Sequence, residues 1–233
     1  MIVKSSFNSL NSVFDIFLPR LCAACEKKLG PSDEVICPEC LSSIKSPGNN
    51  KIAAEFRRKF ERENVISEFT SAFLFEEEKA FQKLIHSIKY RGRYRNAFFL
   101  GRLTGEKLKE KILSWQCDMI IPVPLHPVKK AERGYNQSYY IAKGLSLITG
   151  IPLNNKVLKR VRFTETQTAL SMTERRDNIK GAFSLKRGVS LSGKTVIILD
   201  DVITSGSTVS ECGRVLLKGG AQKVYAVSAA LAL

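Results

Sequence analysis

The sequence predicts an α/β protein that has a parallel sheet with helices on both faces and a small N-terminal zinc ribbon. Along residues 117–233, short apolar runs alternate with amphipathic helical segments, a pattern typical of parallel strands joined by helices. Four cysteines arranged as two closely spaced pairs lie within the first 40 residues. In a reducing compartment, this arrangement indicates a metal-binding ribbon rather than a disulfide framework.

The charge of the chain restricts its partners. Of the 233 residues, 37 are Lys or Arg and 22 are Asp or Glu, which gives a formal net charge of +15. Such an excess indicates a polyanionic partner, namely nucleic acid, a phosphate-rich ligand or an acidic membrane surface. No apolar run reaches the roughly 18 residues of a membrane span. We therefore expect a cytoplasmic protein that reaches the inner membrane, if at all, through partner proteins.

The first predicted elements are an amphipathic helix over residues 7–18 and the zinc ribbon that follows it. The four cysteines have two residues within each pair and eleven between the pairs; they are Cys22, Cys25, Cys37 and Cys40. Each pair can place two sulfurs at adjacent corners of a tetrahedron, so the two pairs together complete a zinc site. A redox pair is the alternative, but such a pair belongs at the start of a helix after a strand, and none surrounds these cysteines.

A basic region connects the ribbon to the predicted core. Residues 45–50 are typical of a linker; a charged helix is predicted near residues 53–63, a strand over residues 68–75, and mostly helix over residues 79–111. We therefore divide the chain into a helix and zinc ribbon (1–48), a basic connecting region with one strand (49–116) and a core (117–233).

The core alternates strands and helices. Strands are predicted over residues 118–123, 156–161, 181–185, 195–199 and 223–231, and helices over residues 135–147 and 208–218. A polar loop is predicted over residues 162–172, followed by one helical turn.

Residues 188–195 match the Walker A pattern but in the wrong structural context. A phosphate-binding loop of that type follows a strand and opens a helix, because loop amides and the helix N-terminus hold the phosphates. Here the match is followed by Val196-Ile-Ile-Leu199, which predicts a buried strand. We therefore do not expect nucleotide hydrolysis at this segment.

The next segment, residues 196–208, is a better candidate for a phosphate site. Asp200 and Asp201 follow the apolar run, where an open α/β sheet places its ligands. The sequence Thr204-Ser-Gly-Ser-Thr208 then opens a helix, so its amides and hydroxyls can surround an anion. The two carboxylates can accept hydrogen bonds from sugar hydroxyls. A capped helix is the alternative, but capping requires one Ser or Asp rather than two acids and four hydroxyls.

Residues 196–208 closely resemble the loop that binds phosphoribosyl pyrophosphate (PRPP) in type I phosphoribosyltransferases. The chain as a whole resembles one branch of that group, the ComF family of bacterial competence proteins. This resemblance includes the four cysteines, residues 121–127, Arg133-Gly-Tyr-Asn136-Gln137 and residues 160–183. It implies a PRPP-binding fold, Mg²⁺ bound with PRPP, a zinc ribbon and the handling of incoming single-stranded DNA in natural transformation.

The resemblance also implies the roles of individual residues. The residues assigned to PRPP are Asp200, Asp201, Thr204, Ser205, Gly206, Ser207 and Thr208. The residues assigned to a pyrophosphate loop are Lys129, Lys130 and Arg133, and those assigned to a mobile catalytic loop are Arg160, Gln167, Arg175 and Asn178. For His126, two interpretations are open: it orients the pyrophosphate loop, or it is packed or solvated without a role.

Residues 79–111 contain ten basic and two acidic residues. Their centre alternates cations and aromatics, a pattern typical of single-strand binding, in which phosphates meet arginines and bases stack on tyrosines. The residues concerned are Lys89, Tyr90, Arg91, Arg93, Tyr94 and Arg95. A solvated helix face is the alternative, and Tyr90 could instead complete a core face.

Three functions are compatible with these motifs. The first is a PRPP-binding protein that engages single-stranded DNA, without a prediction about turnover. The second is a working phosphoribosyltransferase with an unidentified acceptor. The third is a zinc-ribbon module that bridges a helicase and DNA. Fold analogy alone does not establish turnover.

Overall fold

The computed structural model describes residues 19–76, 79–90, 92–163 and 172–233, and the helix predicted over residues 7–18 lies outside them. The helices are α1 (Pro38–Ser42), α2 (Asn49–Lys59), α3 (Ala80–Tyr90), α4 (Tyr94–Ser114), α5 (Pro127–Arg133), α6 (Gln137–Thr149), α7 (Met172–Ile179) and α8 (Ser207–Lys218). The strands are β1 (Glu68–Phe75), β2 (Met119–Pro122), β3 (Leu158–Arg160), β4 (Phe183–Leu185), β5 (Thr195–Ile203) and β6 (Lys223–Ala232).

The main sheet has four strands in the order β1-β6-β5-β2, and every neighbouring pair is parallel. The strand predicted over residues 68–75 is confirmed as β1, and it pairs with β6 from Glu68 opposite Tyr225 to Phe75 opposite Ala232. The connecting region therefore contributes an edge strand to the same sheet as the core.

Strand β5 is longer than the sequence predicts. The prediction ended the strand at Leu199 because two acids interrupt the apolar run. In the structure, pairing with β6 continues past that point, with Asp200 opposite Ser228 and Ile203 opposite Leu231. Both acids therefore lie within the strand rather than after it.

Alternate residues of β5 face two separate cores, which confirms helices on both faces. Ile197 and Leu199 pack in the core that contains residues of α4 and α6. Val196 and Ile198 pack in the core beneath α8. Burial on both faces explains why this strand is a continuous apolar run.

Helices α4 and α6 cross at two glycines. A Cβ atom on Gly101 would lie 2.1 Å from the carbonyl oxygen of Ile141, and one on Gly144 would lie 2.3 Å from that of Phe98. Only glycine permits this approach, so these two positions fix the α4–α6 layer.

Two elements beside the main sheet differ from the prediction. Helix α5, which was not predicted, begins at Pro127, a residue favoured in the first turn. Helix α7 has eight residues where one turn was expected. Strands β3 and β4 form a separate antiparallel pair, with Arg160 opposite Phe183.

The ribbon packs against the start of α4. Its buried cluster, which includes Leu29 and Ile36, contacts Phe99, and Arg102 forms an ion pair with Glu34 at 2.5 Å. Among the described residues, no helix is both long enough and apolar enough to cross a membrane.

Candidate functional site

A cavity of about 690 Å³ lies at the carboxyl ends of β2 and β5. Its walls bring together segments that are far apart in the sequence. Asp200 and Asp201 come from β5, Arg133 from the end of α5, Arg160 from the end of β3 and Lys89 from the end of α3. The cavity therefore unites residues of four predicted motifs, and its lining includes both acids and cations.

The two acids of β5 occupy different electrostatic environments. Burial raises the pKa of Asp200, the neighbouring Asp201 charge raises it further, and the pKa reaches about 8. Burial alone would raise the pKa of Asp201 too, but the Lys89 ammonium at 2.9 Å outweighs it and lowers that pKa. One oxygen of Asp200 accepts hydrogen bonds from the Ser138 hydroxyl at 3.0 Å and the Asp201 amide at 2.9 Å. Asp201 is thus the ionised member of the pair at neutral pH.

The loop after β5 turns sharply at Gly206 and starts α8. Gly206 has φ of +79°, and a Cβ atom there would lie 2.8 Å from the Phe60 ring. Ser205 and Ser207 are buried, and their hydroxyl oxygens lie 2.9 Å apart. Of the predicted hydroxyls, Thr208 lines the cavity. Two of the four hydroxyls therefore stabilise the turn itself instead of facing the cavity.

Lys59, at the end of α2, hydrogen-bonds to the backbone of this loop. Its side chain is buried, and its ammonium group donates hydrogen bonds to the carbonyl oxygens of Thr204 and, at 3.2 Å, Ala232. Glu55 balances its charge at 3.0 Å. The sequence analysis missed Lys59, because its partner Thr204 is 145 residues away and no local pattern marks it.

The predicted pyrophosphate loop forms α5, and its cations take separate positions. Lys129 and Arg133 line the cavity, whereas Lys130 lines a neighbouring one. Arg133 donates to the Gln137 side chain at 2.6 Å, and Lys129 pairs with Glu132 at 2.9 Å.

His126 caps α5. Its Nδ1 accepts from the Val128 amide at 3.4 Å, and its ring packs edge-on against Phe163 at 5.3 Å. This contact supports the interpretation that His126 orients the loop.

Only part of the predicted mobile loop can be placed. Arg160 lines the cavity and lies over the Phe183 ring at 5.4 Å. Gln167 and the side chain of Arg175 lie outside the described residues. The backbone carbonyl of Asn178 accepts a hydrogen bond from Arg162 at 2.7 Å, and Asn178 is not among the residues that line the cavity.

The basic segment at residues 89–95 is divided between the cavity and the surface. Lys89 pairs with Asp201 and so belongs to the cavity. Tyr90 is 68% exposed, and its ring lies 4.4 Å from that of His86, so it does not complete the core. Arg93 and Arg95 are exposed, as is Tyr94, whereas Arg91 lies outside the described residues.

The four cysteines of the ribbon converge. Their sulfur atoms all lie within 4.8 Å of one another, and those of Cys25 and Cys37 are 3.7 Å apart. Four thiolates about 2.3 Å from one metal ion would be separated by about 3.8 Å, so the cluster fits a tetrahedral ion. Cys22 also accepts hydrogen bonds from the amides of Ala24 and Cys37. These four residues could hold a metal.

Part of the chain is similar to known phosphoribosyltransferase sequences and structures. Residues 136–231 match the model of the phosphoribosyl transferase domain. A purine phosphoribosyltransferase from Pyrococcus horikoshii, 23% identical in sequence, aligns with a TM-score of 0.37 over 62% of this chain and 76% of that chain.

Three relatives are named as competence or DNA utilization proteins. Competence protein F of Haemophilus influenzae is 42% identical over 46% of this chain and 47% of its own length. DNA utilization protein YhgH of Salmonella typhi is 35% identical over 60% of this chain and 63% of its own length. The chain thus spans about half to less than two thirds of these two relatives. Competence protein ComFC of Streptococcus pneumoniae is 22% identical over 89% of this chain and 86% of its own length. Together, the domain match, the relatives, the parallel sheet and the four-cysteine cluster support the resemblance to the ComF family and a type I phosphoribosyltransferase-like fold.

Proposed function

We propose that the first cavity binds PRPP. The observation that carries this proposal is that Asp200 and Asp201 share one cavity with Arg133 and Lys129. A ribose with two free hydroxyls needs hydrogen-bond acceptors, and a pyrophosphate needs cations. PRPP presents both groups on one molecule, so the opposite walls of the cavity match its two ends.

The start of α8 provides the site for the 5′-phosphate. Thr208 lines the cavity in the first turn of this twelve-residue helix. Amides at a helix N-terminus and the positive end of its dipole favour a phosphate there. Lys59 orients this backbone by binding the Thr204 carbonyl.

Two metals belong to the proposal. Mg²⁺ accompanies the pyrophosphate of PRPP, and the carboxylates of Glu132 and Asp201 in the cavity wall supply the hard oxygen donors that this ion prefers. Zinc occupies the four-cysteine cluster, because four thiolates in a tetrahedron suit zinc.

We also propose that the protein handles single-stranded DNA in competence or in DNA utilization. The names of the relatives support this role, as does the net charge of +15. The exposed Arg93, Tyr94 and Arg95 supply cations and an aromatic ring for a single strand. A helicase that binds the zinc ribbon is a further candidate partner.

Turnover of PRPP is the second candidate function. It is favoured by Arg160, which brings a cation to the cavity wall from the strand before the predicted catalytic loop. The decisive experiment titrates the wild-type protein with PRPP and Mg²⁺ by calorimetry and then measures pyrophosphate release with and without oligothymidylate or free nucleobases. Heat of binding without release of pyrophosphate supports a ligand-gated binder, and release of pyrophosphate supports the enzyme. If neither heat of binding nor release is observed, the PRPP site is refuted.

A further inference from the structure

A second cavity, of about 460 Å³, lies next to the first, between the α5–α6 segment and the β3–β4 pair. Four cations contribute to its lining: Lys130, Lys159, Arg160 and Lys186. Among the described residues, no Asp or Glu lines it, which distinguishes it from the PRPP cavity with its acidic wall. This second cavity is therefore suited to an anion.

The two outermost cations are available to a ligand. Lys130 and Lys159 are exposed, and neither forms an ion pair with another described residue. Within the described part of the chain, Lys186 donates a hydrogen bond of 3.3 Å to the carbonyl of Asn155. Lys130 lies on α5, Lys159 on β3 and Lys186 directly after β4, so the three cations come from separate parts of the chain.

Aromatic rings line the same cavity and lead out of it. Tyr139 and Tyr140 are half-buried in its wall, with ring centroids 5.2 Å apart. The ring of Tyr140 is in turn 5.0 Å from that of the exposed Tyr94. A series of tyrosines thus joins the cavity to the basic segment at Arg93 and Arg95.

We propose that this second cavity binds a segment of single-stranded nucleic acid, with Lys130 and Lys159 on successive phosphates and Tyr139 against a base. Cations spaced along a groove with aromatic faces are the features that bind single strands. The aromatic rings favour a single strand over a small phosphate metabolite, which needs cations but no stacking surface. The inference rests on the nucleic-acid half of the proposed function and adds the location of the strand.

The position of Arg160 gives this site a further property. Arg160 lines both cavities, so a strand in the second cavity lies directly beside PRPP in the first. We therefore expect the affinity for one ligand to depend on the presence of the other, and thermodynamic reciprocity requires the same factor in both directions.

The test compares two double variants of equal charge change. Lys130→Ala/Lys159→Ala alters the second cavity, whereas the control Lys218→Ala/Lys223→Ala alters exposed lysines at the end of α8 and the start of β6. Binding of fluorescein-labelled oligothymidylate is followed by anisotropy over a range of salt concentrations. Loss of two phosphate contacts should flatten the slope of log K against log salt by about 1.4 relative to the control. Tyr139→Leu, which keeps apolar packing, should weaken binding by about fivefold or more.

The outcomes separate this inference from the function on which it rests. If the wild type binds the oligonucleotide and the cavity variant has the slope and affinity of the control, the second cavity is not the site. If the wild type does not bind the oligonucleotide, the nucleic-acid half of the proposed function fails together with this inference. Calorimetry with PRPP on Lys159→Ala and Tyr139→Leu, which change residues not assigned to PRPP, checks that the first cavity is intact.

Discussion

The ammonium group of Lys89 lies 2.9 Å from a carboxylate oxygen of Asp201, inside the cavity that we assign to PRPP. This ion pair separates the pKa values of two adjacent acids. It lowers the pKa of Asp201, whereas burial and the Asp201 charge raise the pKa of Asp200 to about 8. Lys89 is the last but one residue of α3, so the basic segment begins directly beside the acidic wall.

The raised pKa of Asp200 predicts how stability changes with pH. Folded Asp200 keeps a proton that the unfolded chain releases above pH 4, so the free energy of unfolding should fall as the pH rises from about 4 to about 8. For one proton this slope is at most about 1.4 kcal/mol per pH unit. Asp200→Asn should remove this dependence and be more stable than the wild type near pH 8. Urea unfolding at several pH values measures the free energy of unfolding of both proteins. If this free energy changes with pH in the same way in Asp200→Asn and in the wild type, the raised pKa of Asp200 is contradicted.

Lys59 is predicted to position the PRPP loop. Lys59→Met removes the donor to the Thr204 carbonyl and one of the two cations that pair with the half-buried Glu55, so it should lower both the melting temperature and the PRPP affinity. In Lys59→Met/Glu55→Gln the Glu55 charge is removed as well, and the part of the stability loss that comes from this charge should be recovered. The affinity for PRPP should stay about tenfold below that of the wild type, roughly the value of one hydrogen bond to a charged group. If the double variant binds PRPP with wild-type affinity, Lys59 stabilises the fold but does not position the PRPP loop.

The ribbon is predicted to hold one zinc ion per chain. Cys37→Ser should release it and destabilise the ribbon, because metal binding and folding are coupled in small metal domains. Cys117→Ser is the matched control, since Cys117 lies outside the cluster. Metal analysis after anaerobic purification measures the content, and a wild type with far less than one zinc per chain would refute the site.

The basic segment is predicted to contribute phosphate contacts. If Arg91, Arg93 and Arg95 each meet one phosphate, their replacement by Ala should flatten the salt slope of single-strand binding by about two units. PRPP binding should be unchanged. A triple variant that keeps the wild-type slope would place the strand elsewhere on the protein.

The sequence predicted those elements whose hydrophobic pattern or residue spacing lies within a short segment. The bounds of β1 were predicted to the residue, and the four-cysteine cluster follows from the spacing of Cys22, Cys25, Cys37 and Cys40. The helix after Gly206 was predicted within one residue because its apolar positions recur at helical spacing.

Long-range contacts account for what the sequence did not predict. Lys89 was assigned to DNA because its neighbours are basic and aromatic, and only the fold brings it to Asp201. Strand β5 extends through two acids because β6 continues beside it. Lys59 reaches the PRPP loop across the fold, and Tyr139 and Tyr140 of the second cavity lie on α6, where no site residue was predicted.

Calorimetric titration of Asp200→Ala/Asp201→Ala with PRPP and Mg²⁺ tests the central claim most directly. The lost hydrogen bonds are worth about 1.5–3 kcal/mol at the ionised Asp201 and about 0.5–1.5 kcal/mol at the protonated Asp200, so the affinity should fall at least about thirtyfold. Glu106→Ala/Glu110→Ala, which removes two exposed acids from α4, is the control for charge and should bind as the wild type does. Thermal unfolding shows that each variant is folded. A folded Asp200→Ala/Asp201→Ala variant with wild-type affinity for PRPP would contradict the account.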